Sequence, residues 1–252
     1  MKRSNFRLIA FIILILLLPL FSAAATTDSS YTSVFYNTFI SGDMPRWEKN
    51  IQTLETSNNI KTVEQKLELL NYYYGYIGYL IGQKKYAQTK KLTERGEKLI
   101  EEVLRQSPQN ATAYSFKGIF QAYNIVLYKY KIIWLAYQCK WNVNKALELD
   151  PQNIQALIDE GNIFFYAPKF YGGDKKKALS YYLKAAEILE KKRETNQNWI
   201  YLNLLSVIAE AYEKTDNLQE AKLTYEKILR IEPNVTWVKD KMYPKLLEKM
   251  KS

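Results

Sequence analysis

The apolar residues at the start of the chain are arranged differently from those that follow them. Residues 8–18 form an unbroken apolar run that follows three basic residues and ends before Pro19. This order, with small residues up to Ala25, is typical of a secretory signal peptide. The run is also shorter than the roughly 20 residues that a membrane-spanning helix needs. We therefore expect cleavage after Ala25 to release an exported protein, periplasmic or secreted, with no stable transmembrane segment. An uncleaved N-terminal anchor is the alternative.

Small and aromatic residues recur at fixed positions near the end of the chain, in residues 202–233. Counted from the first of these, positions 8 and 20 hold Ala209 and Ala221, while positions 11 and 24 hold tyrosines. Small side chains let two helices approach closely, and aromatic rings fill the gaps beside them. The polar run 215–217 has turn chemistry, and Pro233 stops a helix. The stretch is therefore predicted to form an antiparallel hairpin of two helices.

This arrangement resembles the tetratricopeptide repeat (TPR), which is a hairpin of two α-helices. The six matching positions are Ala209, Tyr212, Ala221, Tyr225, Ile228 and Pro233. Residues 153–189 show the same alternation, with Gly161 and Ala178 at the two small positions and a longer turn between the helices. That turn, residues 168–173, has a Pro-x-x-x-Gly-Gly pattern that resembles a group of exported bacterial repeat proteins.

Earlier parts of the chain resemble the repeat more loosely. Residues 34–54 are interpreted as a hairpin around a turn that contains glycine and proline, and Gly78 and Gly118 as the small positions of two further units. The apolar segment 119–137 contains neither glycine nor proline. We predict that it forms one long helix, which either packs on several sides or lines a ligand cavity.

A single hairpin buries too little apolar surface to be stable alone, so such hairpins stack on their neighbours. The resemblance therefore implies an all-α fold, a TPR-like solenoid of about four to five antiparallel helical hairpins in residues 26–236. Residues 237–252 carry lysines between apolar residues at helical spacing, which predicts a C-terminal capping helix. Stacked hairpins of this kind curve into a superhelix with a concave face.

The TPR resemblance also implies which side chains line that concave face. In this repeat type the first helix of each hairpin provides them. The expected ligand- or partner-binding residues of this chain are Tyr72, Tyr79, Ser115, Ile119, Gln155, Ile158, Asn162, Phe165, Asn203, Ser206 and Glu210. None of them is lysine or arginine, so the clamp for a terminal carboxylate found in some family members is not expected. We expect the partner to be a protein or extended peptide of the cell envelope, anchored by the tyrosines.

Two other functions fit parts of the sequence. A carrier that encloses a small apolar ligand and serves a transporter would use segment 119–137, and a closed apolar tunnel there would favour it. An enzyme with paired carboxylates would use Glu210 and Glu213, which lie one helical turn apart. Acidic pairs are common on exposed helices, however. We therefore expect a non-catalytic binding or scaffold protein.

Composition narrows the possible chemistry further. The chain has no histidine, which removes the usual general base near neutral pH and the commonest metal ligand. Cys139 is the only cysteine, and we interpret it as a buried thiol without catalytic function. The glycines at 172–173 lack the spacing of a phosphate-binding loop. The net charge of +10 is accompanied by no nucleic-acid-binding motif. We expect no cofactor, no metal ion and no nucleic-acid partner.

Overall fold

The computed structural model describes residues 29–57 and 60–251, and all regular secondary structure in these ranges is helical. The α-helices are α1 (Ser29–Ser41), α2 (Met44–Thr56), α3 (Val63–Gly82), α4 (Tyr86–Gln106), α5 (Ala111–Leu127), α6 (Ile132–Leu149), α7 (Ile154–Tyr166), α8 (Lys175–Lys191), α9 (Trp199–Lys214), α10 (Leu218–Ile231) and α11 (Tyr243–Lys249). A π-helical turn, Val238–Met242, precedes α11.

These helices pair in chain order as hairpins, from α1–α2 to α9–α10, and each hairpin packs on the next. The predicted all-α, TPR-like solenoid is therefore confirmed. We call the first helix of each hairpin (α1, α3, α5, α7 and α9) an inner helix. In the part of the chain that the structure describes, no helix is both long and apolar enough to cross a membrane. The predicted signal peptide, residues 1–25, lies outside that part.

Three inner helices begin with the same kind of cap. Asn110, Asn153 and Asn198 precede α5, α7 and α9, and each side-chain Oδ1 accepts a backbone N–H of the first turn, at 2.8, 3.0 and 2.9 Å. A capping asparagine stabilises a helix by about 1 kcal/mol relative to alanine. Asn153 Nδ2 also donates to Thr112 Oγ1 at 2.9 Å, so the first turns of α5 and α7 lie side by side.

Small residues lie where the two helices of a hairpin approach each other closely, at positions that the sequence predicts. A Cβ atom added to Gly161 would lie 2.4 Å from the ring of Tyr182, and one added to Gly118 would lie 2.8 Å from the Cys139 carbonyl oxygen. Both distances are too short for a side chain. The prediction for Gly118 and Gly161 is therefore confirmed by close helix packing.

Two predictions about helices are wrong. Gly78 is exposed, and a Cβ atom added to it would have no neighbour within 4 Å. The close contact on α3 is made by Gly75 instead, since a Cβ atom added there would lie 2.8 Å from the ring of Trp199. Segment 119–137 is not one helix, because α5 ends at Leu127 and α6 begins at Ile132, after a 3₁₀ turn. Packing of α6 back onto the surface around Gly118 outweighs the local tendency of this apolar segment to continue as a helix.

Overpacking the last hairpin should destabilise it. Ala209 and Ala221 are fully buried where α9 meets α10. Extra methylene groups in a packed core cost about 1–3 kcal/mol, so Ala209→Leu or Ala221→Leu should lower the free energy of unfolding by that amount. Urea denaturation measures it, with the exposed Ala136→Leu as the control. Full stability in both variants would contradict the register of the repeat.

The first hairpin packs against the last one, which closes the superhelix. Trp47 of α2 and Trp199 of α9 meet edge to face, with ring centroids 5.1 Å apart. Phe39 of α1 lies 5.6 Å from Trp199 and 5.3 Å from Trp237, again measured between ring centroids. Aromatic pairs of this kind contribute about 0.5–1.5 kcal/mol each beyond the area that they bury. We call these four residues the seam.

Hydrogen bonds join the same two ends of the chain beside the seam. The Tyr36 hydroxyl donates to Glu232 at 3.0 Å, and the Trp237 Nε1–H donates to the Phe39 carbonyl at 3.1 Å. Thr236 Oγ1 donates to backbone carbonyls at the end of α1, at 3.3 Å. The closure brings α1 against α9, and many side chains of the inner helices are buried.

Candidate functional site

The structure places the residues predicted to bind a partner along the inner helices, but mostly away from solvent. Eight are buried: Tyr72, Ser115, Ile119, Gln155, Ile158, Asn162, Phe165 and Ser206. Three are half-buried: Tyr79, Asn203 and Glu210. The closed superhelix explains this burial, since side chains that would line an open groove pack against one another.

A carboxyl group that the sequence analysis did not select lies at the centre of this interior. Asp159 of α7 is fully buried. Its Oδ2 accepts hydrogen bonds from Ser115 Oγ at 2.7 Å and from Gln155 Nε2 at 3.0 Å. Burial raises the pKa of Asp159 to about 7, although these hydrogen bonds oppose the rise. The available signal was the acidic pair Asp159 and Glu160 within a helix that is otherwise mostly apolar.

Asn162 Nδ2 donates to Asp159 Oδ1 at 3.4 Å, and from Asn162 the hydrogen bonds continue to three neighbouring helices. The Asn162 side-chain amide donates to the hydroxyl of Tyr74 at 2.9 Å, and its oxygen accepts from the hydroxyl of Tyr182 at 2.8 Å. Tyr123 donates to the Tyr74 carbonyl at 3.2 Å. Burial raises the pKa values of Tyr74 and Tyr123 well above the ordinary value, so both stay protonated. Each polar group has a protein partner, so this inner network fixes the packing of α3, α5, α7 and α8.

The carboxylate pair considered for catalysis is divided between two environments. Glu213 accepts a hydrogen bond from Tyr225 at 2.9 Å, on the neighbouring helix α10. Glu210 instead lies toward Tyr166 of α7. Among residues 29–57 and 60–251 no group of acidic and cysteine side chains could hold a metal ion. Glu213 is therefore held in a structural contact between α9 and α10.

A cleft opens at the end of the molecule where the inner helices begin. Its volume is about 560 Å³, within the range of about 300–1,000 Å³ that is usual for ligand pockets. Apolar side chains such as Leu67, Phe116 and Trp199 form part of its wall. Amide side chains form much of the remainder, and they are Asn71, Gln152, Asn153, Gln155, Asn196, Gln197 and Asn198. Of the predicted partner-binding residues, the structure brings Tyr72 and Gln155 to this cleft.

Several of the cleft amides are free to bind a ligand. Asn153 and Asn198 cap helices, and Gln155 binds Asp159. Within the described ranges, however, the side chains of Gln152, Asn196 and Gln197 form no hydrogen bond. The Oδ1 of Asn71 also has no partner there, although it is shielded from solvent. A buried carbonyl oxygen without a donor costs free energy that a ligand N–H would recover.

The charge of the cleft is set mainly by carboxylates. Glu68 is held in place by the Tyr72 hydroxyl at 2.6 Å and by Thr32 Oγ1 at 3.4 Å. Asp150 and Glu194 also line the cleft, against one lysine, Lys192. The cleft therefore favours a ligand that is neutral or positively charged. Most of these amides precede or begin helices, in positions that the repeat pattern treats as connections; of the seven, the sequence analysis selected only Gln155.

Comparison with known proteins agrees with the fold. Residues 202–235 match the family model of the tetratricopeptide repeat, the same hairpin that the sequence pattern predicts. TTC0263, a thermophilic TPR protein of Thermus thermophilus, superposes with a TM-score of 0.54 at 14% sequence identity, covering 82% of this chain and 93% of that one. This likeness shows a shared TPR-type fold.

A second solved structure is more distant in shape. YrrB, described as a TPR protein with an unusual peptide-binding site, has a TM-score of 0.37 and 19% sequence identity, covering 88% of this chain and 98% of that chain. The comparison with the curated proteins gave no match.

Proposed function

We propose that this chain is a non-catalytic binding protein of the cell envelope, and that it holds an extended peptide segment of a protein partner in the cleft. The cleft is the open end of the concave face, where the inner helices begin. The orphan Oδ1 of Asn71 carries the proposal, because Asn71 lines a cleft of suitable size and this oxygen has no donor within the described residues. The signal-peptide pattern of residues 1–25 supports export.

The chemistry of the cleft suits a peptide backbone. A peptide presents an N–H donor and a C=O acceptor at each residue, and an amide side chain can bind either group. Gln152, Asn196 and Gln197 supply such side chains at the rim, while Tyr72 and Trp199 supply apolar surface below them. The excess of carboxylates over lysine favours a segment that carries lysine or arginine.

The alternative function, a carrier of a small apolar ligand, would need an enclosed tunnel beside segment 119–137. The hollow found beside that segment has a volume of about 700 Å³ and is lined by Tyr130, Lys131, Ile133, Trp134 and Tyr137. All five side chains are exposed. The hollow is therefore open to solvent, and the peptide proposal is the better supported of the two.

Replacing Asn71 by leucine should weaken peptide binding, because it removes the shielded acceptor and places an apolar group there. Loss of a buried hydrogen bond costs about 1–3 kcal/mol, which corresponds to an affinity about 5- to 150-fold lower. Peptides selected from a random display library on the full chain, with affinities measured by fluorescence polarisation, test this.

Two control variants locate the site. Asn144→Leu changes an exposed amide on α6 and should leave binding unchanged. Asn203→Leu changes a half-buried residue on the inner face outside the cleft lining. If Asn203→Leu weakens binding and Asn71→Leu does not, the peptide lies deeper on the concave face and the cleft proposal is wrong.

A further inference from the structure

A group of aromatic and apolar side chains is exposed at the opposite end of the inner helices. Tyr130 and Ile133 are 81% and 82% exposed, and Phe170 is 90% exposed. Together with Trp134, Tyr137, Tyr166 and Tyr171 they form what we call the tip surface. Every other large apolar side chain in the described ranges is less than half exposed. Exposed apolar groups concentrated in one place mark an interaction site.

The tip surface is formed by two neighbouring turns of the chain. One lies between α5 and α6, and the other follows α7. Below these turns the ring of Phe164 on α7 contacts both neighbouring helices, with Lys140 Nζ of α6 at 5.0 Å and Lys177 Nζ of α8 at 4.1 Å from its centroid. Both turns lie at the end of the molecule where α5 and α7 finish.

The α5–α6 turn projects beyond its neighbour. Ser115 of α5 and Asp159 of α7 lie side by side, joined by a 2.7 Å hydrogen bond. From there α5 continues to Leu127, whereas α7 ends sooner, at Tyr166. The five additional residues extend α5 by about 7–8 Å at 1.5 Å per residue. Tyr130 and Ile133 thus lie on the turn that extends further, beside the open hollow described above.

The charged residues around the tip surface are mostly lysines. Six lysines flank its aromatic residues, and they are Lys129, Lys131, Lys169, Lys175, Lys176 and Lys177. No aspartate or glutamate occurs in residues 103–147. Asp174 is the one carboxylate between these lysines, and its Oδ1 accepts the backbone N–H groups of Lys176 and Lys177 at 2.9 and 3.0 Å.

None of these six lysines forms a salt bridge with a carboxylate of the described ranges. Lysine elsewhere in the chain is often paired, as in Lys66–Glu102 at 2.9 Å and Lys227–Glu190 at 2.7 Å. The positive charge of the tip surface is therefore left for an external anion.

We propose that the tip surface binds an anionic phospholipid bilayer. Tryptophan and tyrosine prefer the headgroup region, where the ring is half in hydrocarbon and the polar atom is hydrated. Lysines beside them are attracted to anionic headgroups and keep their ammonium groups in water. The α5–α6 turn extends further than its neighbour, so its aromatic residues and lysines would reach the headgroup layer first. Bound in this way, the protein points its cleft away from the membrane.

Tryptophan fluorescence can report this contact in the full chain. Residues 1–28 contain no tryptophan, so they contribute no signal of their own. Trp134 is exposed at the tip surface, whereas Trp47 and Trp199 are buried. Vesicles of phosphatidylglycerol and brominated phosphatidylcholine should quench the fluorescence of the full chain. Most of that quenching should be lost in Trp134→Phe. Equal quenching in both proteins, or none in either, would overturn the proposal.

Lysine variants test the requirement for anionic lipid. Each lysine near an anionic membrane contributes about fivefold in affinity, so the triple variant Lys129→Gln, Lys131→Gln, Lys169→Gln should bind these vesicles on the order of a hundredfold more weakly. The matched control is Lys239→Gln, Lys241→Gln, Lys245→Gln, which removes the same charge from exposed positions before and within α11. Vesicles of phosphatidylcholine alone should bind the chain far less in every case.

The other possible occupants give different results. If the tip surface instead joined two copies of the chain, light scattering would show twice the mass in the absence of lipid, and Ile133→Ser with Trp134→Ser would restore the single mass. If it bound an acidic protein or RNA, the tip and control lysine variants would bind phosphatidylglycerol vesicles equally. Either result would overturn the lipid proposal.

Discussion

Trp199→Ala should lower the free energy of unfolding by about 3–5 kcal/mol, the cost of removing a large buried aromatic side chain. Trp199 is buried in the seam, where it contacts Trp47, Phe39 and the backbone at Gly75. Trp199 is thus the residue of α9 that reaches α1, α2 and α3. Its loss should also release the first hairpin from the last. Urea denaturation measures the stability, and amide hydrogen exchange in α1 and α2 measures the release.

The control for this variant is Trp134→Ala, which removes the same side chain from a site that is 61% exposed. Exposed substitutions usually change stability by less than about 0.5 kcal/mol. If the two variants lost the same stability, or if exchange in α1 and α2 stayed slow in Trp199→Ala, the seam would not hold the two ends of the chain together.

Stability should rise as the pH falls from about 8 to about 5, because of Asp159. The folded protein holds the proton of this carboxyl with a pKa of about 7, against 3.8 for the ordinary group. Between these values the folded state binds more protons than the unfolded state, so a lower pH favours folding. The two pKa values correspond to a gain of about 2–3 kcal/mol over that pH range. Denaturation curves at several pH values measure the gain.

Asp159→Asn isolates this contribution, since asparagine has nearly the same shape and does not titrate. Other groups titrate alike in both proteins, so the difference between the two stability curves belongs to Asp159. The difference should grow with falling pH and level off near the ordinary pKa of an aspartate. Parallel curves across the range would mean that Asp159 stays charged in the folded protein.

The local part of the fold could be predicted from the sequence. Ala209, Ala221 and Tyr225 are fully buried at the helix contact that their spacing indicates. Gly161 faces Tyr182 in the same way one hairpin earlier. These contacts join residues that lie close in sequence, and each hairpin requires a small residue opposite an aromatic one. The repeat pattern therefore carries their geometry.

The closure could not be predicted in this way. Tyr36 binds Glu232, and Phe39 binds Trp237, across nearly the whole length of the chain. A local sequence pattern does not predict which distant residues will meet, because the contact between the two ends of the chain depends on the summed curvature of five hairpins. The mapped concave residues consequently include many, such as Ile158, that lie in the packed interior. For the same reason the orphan oxygen of Asn71 appears only once its neighbours are placed.

The most direct test of the closed superhelix is acrylamide quenching of tryptophan fluorescence in the double variant Trp134→Phe, Trp141→Phe. The three remaining tryptophans, Trp47, Trp199 and Trp237, all lie in the seam. A closed seam shields them, so quenching should be weak in the folded protein and strong after denaturation in urea. Strong quenching in the folded protein would mean that the two ends of the chain are apart and the concave face is open.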